Sequence, residues 1–351
     1  MKTIVKIAFL FVLFPILTFG YNDDNHAYNK EKTISKTYAV NDDAQVNITN
    51  SYGNVNVYLW DENKISIQVN IKVSGNNEKK INERLNTIDV DFAATTSKVS
   101  AKTIFTTKEW KSSNISYEIN YTVKIPRNGS IDLNNKYGNI TVEKLNGSSD
   151  ITCHYGSIIL GQFNNKNNNI SIAYSSNSFI NSIDKLNLES QYSDVSFQKV
   201  NNINIDGNYN TFNFQSVSGL NLSSNYTKAK ASSIQKIAIE GNYLTLKLGE
   251  IGNAINISSN YSDIQFSASN KTDAIAINGN YTNSKITCSS DFAFNFDINL
   301  GYGSFKDELD LKYTQKSEKN TSKAYSGYHI SQGKATMKIS TNYGSVQLLT
   351  K

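Results

Sequence analysis

Residues 186–226 read LNLESQYSDVSFQKVNNINIDGNYNTFNFQSVSGLNLSSNY, from Leu186 to Tyr226. Two copies of one pattern stand side by side, 17 residues apart, each centred on a tyrosine, Tyr192 and Tyr209, and a third opens at Tyr226. Working outward, the same tyrosine recurs at Tyr137, Tyr155, Tyr174, Tyr192, Tyr209, Tyr226, Tyr243, Tyr261, Tyr281 and Tyr302, with gaps of 18, 19, 18, 17, 17, 17, 18, 20 and 21. Tyr52 and Tyr343 carry the pattern outside this run. A fixed period of this size marks a repeat architecture.

Two aliphatics precede each tyrosine by six and four residues, as in Leu186 and Leu188, Ile203 and Ile205, and Leu220 and Leu222. A small residue stands two before it (Ser190, Gly207, Ser224). Apolar residues return three and five after it (Val195 and Phe197, Phe212 and Phe214) and often eight after it (Val200, Val217, Ile234, Ile251). Strand side chains alternate between faces. Positions −6, −4, −2 and 0 therefore share one face, and the steps from 0 to +3, from +5 to +8 and from +8 to the next −6 are odd. Each odd step keeps both residues inward only if the chain bends, so three corners per coil are expected. The fold class that follows is all-β: a parallel β-solenoid of about 17–20 residues per coil with a β-rich N-terminal insertion. The handedness of parallel crossovers makes a right-handed β-helix the expected form. On this parity the tyrosines stack in one column, mostly buried beside the small −2 residues. Asn208, Asn225, Asn242, Asn260 and Asn280, each just before a tyrosine, are placed to hydrogen-bond from coil to coil.

The rest of the chain divides around this core. Lys2 and Lys6, an apolar run from Ile7 to Phe19 and Gly20 have the make-up of a secretory signal peptide at 1–20. That run is short for a membrane span, which needs about 20 apolar residues, so an exported, non-membrane-spanning chain is expected, periplasmic, outer-surface or extracellular. Residues 21–32 are polar and expected to be disordered. An N-terminal β-rich cap that includes the first coil occupies 33–130, with a short helix expected within Asn76–Leu85. The solenoid proper runs over 131–305, and 306–351 holds a charged insertion followed by a last coil around Tyr343.

Composition narrows function. The net charge is +5, or +3 without Lys2 and Lys6, and the positive charges are interspersed with acids. No clustered basic face of the kind nucleic acid requires is visible. Cys153 and Cys288 belong to distant coils, too far apart to bond to each other. His26, His154 and His329 are isolated and show no metal-ligand spacing. Only Arg84 and Arg127 supply arginine, and no acidic cluster is seen to recur at one position of neighbouring coils. No catalytic, cofactor-binding or metal residue is assigned, and no cofactor is expected. Unique residues fall in the two interruptions, where Trp110, Tyr325 and Tyr328 are the candidate partner contacts.

The motif Asn50-Ser51-Tyr52-Gly53-Asn54-Val55, echoed by Lys136-Tyr137-Gly138-Asn139-Ile140 and Asn342-Tyr343-Gly344-Ser345-Val346, resembles the adhesin-like β-strand-repeat family of unknown function. The resemblance covers about Thr33 to Lys351. It implies a β-solenoid and an envelope or extracellular location, and brings no catalytic residues. The expected function is a non-enzymatic exported envelope or cell-surface protein with an adhesin-like binding or structural role. The alternatives are a polysaccharide-active β-helix enzyme or a periplasmic partner of a membrane signalling protein. A polysaccharide or an envelope protein is the expected partner, with oligomeric state open.

Overall fold

A computed structural model describes residues 26–106 and 114–351. The signal-peptide reading of 1–20 lies outside the described residues. The described chain is all-β: 26 strands joined in one sheet, mostly parallel, with a single helix, Glu78–Thr87. None of its helices is long and apolar enough to cross a membrane.

Coils stack by parallel pairing at the sequence period. Val195 lies beside Phe212, Phe212 beside Ala229, and Ala229 beside Leu246. The −6, −4, +3, +5 and +8 residues point inward, as the apolar pattern requires. Leu186, Leu188, Val195, Phe197 and Val200 are all buried, and so are their counterparts Ile203, Ile205, Phe212, Phe214 and Val217. Phe197 and Phe214 stack at 4.7 Å between ring centres in the coil interior. Near-continuous parallel ladders leave little room for proline, which has no N–H to donate.

The tyrosines correct the parity argument. All twelve, from Tyr52 to Tyr343, adopt a left-handed backbone with φ between 50° and 66°, and all are exposed, from 40% at Tyr52 to 61% at Tyr302. Strand alternation stops at the residue that leaves the extended region. The left-handed tyrosine makes the corner and throws its ring out, and the next residue turns in instead. Ser193, Asn210, Thr227, Ser262 and Thr282, one after their tyrosines, are buried. They also explain the small −2 residues. The hydroxyls of Ser224 and Thr227 lie 2.6 Å apart, and Ser190 Oγ donates to Asn210 Oδ1 at 3.0 Å. The corner interior is a hydrogen-bonded polar seam with no space for a phenol ring.

Stack order departs from chain order at both ends. Lys98–Phe105 and Ile115–Pro126 pair in parallel beneath the coil of Gln45–Ser51 and Val55–Trp60. The insertion thus builds a coil below the first one. Tyr28–Ala39 and Lys64–Gly75 then cover it as an antiparallel pair, with Lys64–Gly75 also running against Ile115–Pro126. The helix is capped by the Asn77 side chain, which accepts from Lys80 N–H at 3.1 Å. The expectation of disorder over 21–32 fails where it is described, since the strand begins at Tyr28. Its polar side chains are mostly exposed, and backbone pairing to Lys64–Gly75, which composition does not reveal, holds it in place. At the other end, Ala335–Asn342 and Ser345–Thr350 are not the outermost coil. They sit between the coil of Ala274–Asn280 and Asn283–Cys288 and that of Phe294–Gly301 and Ser304–Asp307. The charged insertion is an antiparallel hairpin, Leu311–Glu318 and Ser322–His329, laid against Phe294–Gly301.

Candidate functional site: a polar groove beside a tyrosine ladder

The twelve corner rings form one continuous stack on the surface. Neighbouring centres lie 4.6–5.2 Å apart, from Tyr52–Tyr137 through Tyr226–Tyr243 to Tyr281–Tyr343 and Tyr343–Tyr302. Each left-handed non-glycine residue costs roughly 1–2 kcal/mol, and each aromatic pair returns about 0.5–1.5 kcal/mol beyond area burial. The backbone ladder also continues through the corner, with Tyr209 N–H donating to Asn225 O at 3.0 Å and Tyr226 N–H to Asn242 O at 3.0 Å. Because the rings stack on one another, they turn edges and hydroxyls to solvent. At one end Tyr52 meets Tyr117 and Phe105 edge-on, with the Arg84 guanidinium over both of those rings. Burial and the neighbouring Tyr117 raise the Tyr52 hydroxyl above the usual phenol range.

The strand leading into each tyrosine shows its −5, −3 and −1 residues to solvent. Those positions align along the stack as three parallel columns ending at the tyrosine corner. The −1 column is the expected asparagine ladder. Asn225 Nδ2 donates to Asn208 Oδ1 at 3.0 Å, Asn242 to Asn225 at 3.0 Å, Asn260 to Asn242 at 2.9 Å, Asn280 to Asn260 at 3.1 Å and Asn342 to Asn280 at 2.9 Å. The −5 column holds a second ladder that sequence reading missed. Asn187 donates to Asn169 at 3.0 Å, Asn204 to Asn187 at 3.0 Å and Asn221 to Asn204 at 2.8 Å.

The −5 and −3 columns line a groove of about 900 Å³ that crosses the coils of Tyr155 to Tyr243. Its lining includes four carboxylates, Asp150, Glu189, Asp206 and Glu240, and no lysine or arginine, although the chain as a whole is positive. Burial, with help from the charges of Asp132 and Glu189, raises Asp150 above the ordinary carboxylate range. These residues overturn the reading that no acidic cluster recurs on neighbouring coils. Asp132 pairs with Asp150, and Glu189 with Asp206, at matching positions. The signal was present as acids at −5 and −3. It was hidden because the alignment followed the apolar positions and treated the outward ones as filler.

The other candidates fall outside the groove. Trp110 lies outside the described residues. Tyr325 is buried, its ring 4.8 Å from Phe305 and its hydroxyl donating to Glu318 Oε1 at 2.8 Å. It packs the hairpin onto the outermost coil and presents no surface to a partner. Tyr328 is half-buried on the same strand, opposite Lys312 and Asn295. His329 is buried with Nδ1 2.7 Å from Phe292 O. Cys153 and Cys288 are free and buried, and burial pushes both thiols up to about 12.

No family model matches this chain, and no curated protein matches it either. Among solved structures it is similar to a candidate cell adhesion protein from Clostridium sporogenes, at 12% identity over 92% of this chain and 100% of that one, with a TM-score of 0.19. A candidate adhesin from Parabacteroides merdae shares 8% identity over 91% and 96% of the two chains, with a TM-score of 0.35. A candidate adhesin from Bacteroides fragilis shares 12% over 91% and 97%, with a TM-score of 0.22. At these TM-scores the likenesses carry no weight for fold or function.

Proposed function

We propose that this chain is a non-enzymatic, exported, adhesin-like protein of the cell envelope or surface, a right-handed β-helix whose polar groove holds an extended polysaccharide. The observation that supports this most is the repetition of the groove lining along the stack. Each coil from Asn169 to Asn221 offers one side-chain amide at the same position. The ladder uses one N–H and one oxygen lone pair of each inner amide, leaving the others for a ligand. Coils recur about every 4.8 Å, close to the advance of one sugar in an extended β-linked chain, so one sugar can meet one rung. A peptide strand, at about 3.3 Å per residue, falls out of step.

A second reading is a polysaccharide-active enzyme, favoured by the neighbouring carboxylates Glu189 and Asp206. Glycoside hydrolysis needs two carboxyl groups flanking the bond to be cut. Glu189 and Asp206 share one column on one face, which puts both on the same side of a chain lying in the groove. A glycan array combined with a turnover assay separates the readings. Retention of a polysaccharide without product release is expected, and release of product from any polysaccharide would sink the non-enzymatic reading.

A further inference from the structure

The coil formed by Ala335–Asn342 and Ser345–Thr350 fills a level that the preceding chain skips. After Cys288 the chain climbs past this level, builds Phe294–Asp307 above it, makes the hairpin, and only then returns to occupy the gap. Both edges of the returning segment are paired. Ala335–Asn342 runs parallel to Ala274–Asn280 and to Phe294–Gly301, and Ser345–Thr350 to Asn283–Cys288 and to Ser304–Asp307. Met337, Ile339, Val346 and Leu348 are buried in the coil interior. The whole upper coil therefore reaches the stack through this segment.

One short connection, 330–334, ties the segment to the chain before it. This connection wraps around the start of a strand, because Phe294 has His329 as its partner on one side and Ala335 on the other. It carries a local conflict. Ile330 has φ 62° and is 52% exposed. Among the described residues the other non-glycine positions with positive φ are the twelve corner tyrosines and Asn177. The tyrosines are held by ring stacking, and asparagine tolerates this region. Ile330 is β-branched, the class least suited to it, and its side chain packs in no such stack.

We infer that residues 335–350 form an exchangeable coil, so that a second copy of this chain can supply it and two copies close into a reciprocal, domain-swapped dimer. In the exchanged form every pairing of the segment is reproduced with the partner's strands, and only the hinge changes. Extension of 330–334 releases Ile330 from its left-handed conformation, which biases the exchange toward the dimer. An element joined by a short strained hinge is the usual substrate for such exchange. The two closed forms interconvert slowly, because withdrawing the segment leaves two parallel edges and an apolar interior open at once. The exchange follows from the topology and the Ile330 hinge and is independent of the groove's ligand. For a surface protein it doubles the number of grooves per particle.

Refolding the protein over a range of concentrations, followed by size exclusion with light scattering, tests this. The dimer fraction should rise with concentration during refolding and persist on later dilution; a chain that stays monomeric throughout contradicts the inference. The double variant Asn278→Cys, Ser340→Cys then reports which copy supplies the segment. The two positions are register partners and both are exposed. Oxidised monomer should carry an intrachain bond, and oxidised dimer should run as a covalent dimer on a non-reducing denaturing gel. A dimer that resolves into singly cross-linked monomers overturns the exchange. Ile330→Gly removes the hinge conflict and should lower the dimer fraction by about tenfold. An unchanged or larger fraction would show that the hinge does not drive it.

Discussion

The ring of Tyr343 stacks on that of Tyr281 at 5.0 Å, although Tyr302 lies between them in sequence. Tyr302 in turn stacks on the far face of Tyr343 at 5.1 Å. The last coil of the chain is thus the penultimate level of the stack, and the outermost level depends on it. Removing residues 335–351 should therefore free Phe294–Asp307 while leaving coils below Tyr261 intact. Amide exchange measured by mass spectrometry should show protection lost from 294–329 and kept from 130–260. Retained protection over 294–307 would mean that the upper coil holds itself.

The left-handed corner predicts an unusual order of substitutions. Tyr226→Ala loses stacking on both Tyr209 and Tyr243 and keeps the backbone cost, so a loss of about 2 kcal/mol is expected, below the 3–5 kcal/mol typical of deleting a buried large aromatic. Tyr226→Gly loses the same ring but removes the left-handed penalty. It should be more stable than the alanine variant by about 1 kcal/mol in urea unfolding. Glycine falling below alanine would contradict the corner geometry.

This corner also marks how far the sequence was legible. The period and the inward aliphatics follow from alternation, and Leu186, Ile203 and Leu220 face the interior as alternation demands. Alternation gave the wrong side for the tyrosines, because a positive φ at one residue resets the parity and no apolar pattern records it. The level occupied by each coil was equally hidden. The coil around Tyr343 carries the same template as its neighbours, so its sequence fits any slot. The groove was missed because Asp150, Glu189 and Asp206 sit in the outward columns that the apolar alignment passes over.

The amide ladder should respond to a change that keeps shape and removes donors. Asn225 accepts from Asn242 and donates to Asn208. In Asn225→Asp the donor becomes a second acceptor facing Asn208 Oδ1. A loss of about 1–2 kcal/mol is expected near neutral pH, and it should shrink when the carboxyl is protonated at low pH. Equal stability of the variant and the parent at neutral pH would show that the ladder is ornamental.

Cys153, Cys288 and Tyr121 link stability to alkaline pH. Cys153 and Cys288 are raised from 9.0 to about 12, and Tyr121 from 10.0 to about 12, chiefly by burial. Each raised folded-state value favours the protonated form. Their contribution is complete below the unfolded values and is lost as pH rises through the folded ones. Stability should therefore fall between about pH 9 and 12. Replacing both cysteines with alanine should flatten part of that slope. A thiol reagent at pH 8 should modify neither cysteine in the native protein and both after unfolding. Rapid native labelling would contradict their burial.

The groove is tested most directly by filling it without touching its ladders. Ser223 lines the groove, is exposed, and takes part in neither amide ladder. Ser216 is exposed and does not line the groove. With a polysaccharide retained on the glycan array, titration calorimetry on Ser223→Trp should show affinity reduced by at least about tenfold, equivalent to about 1.4 kcal/mol. Ser216→Trp should bind like the parent. Unchanged affinity in a correctly folded Ser223→Trp would contradict the account and place the binding surface elsewhere on the coils.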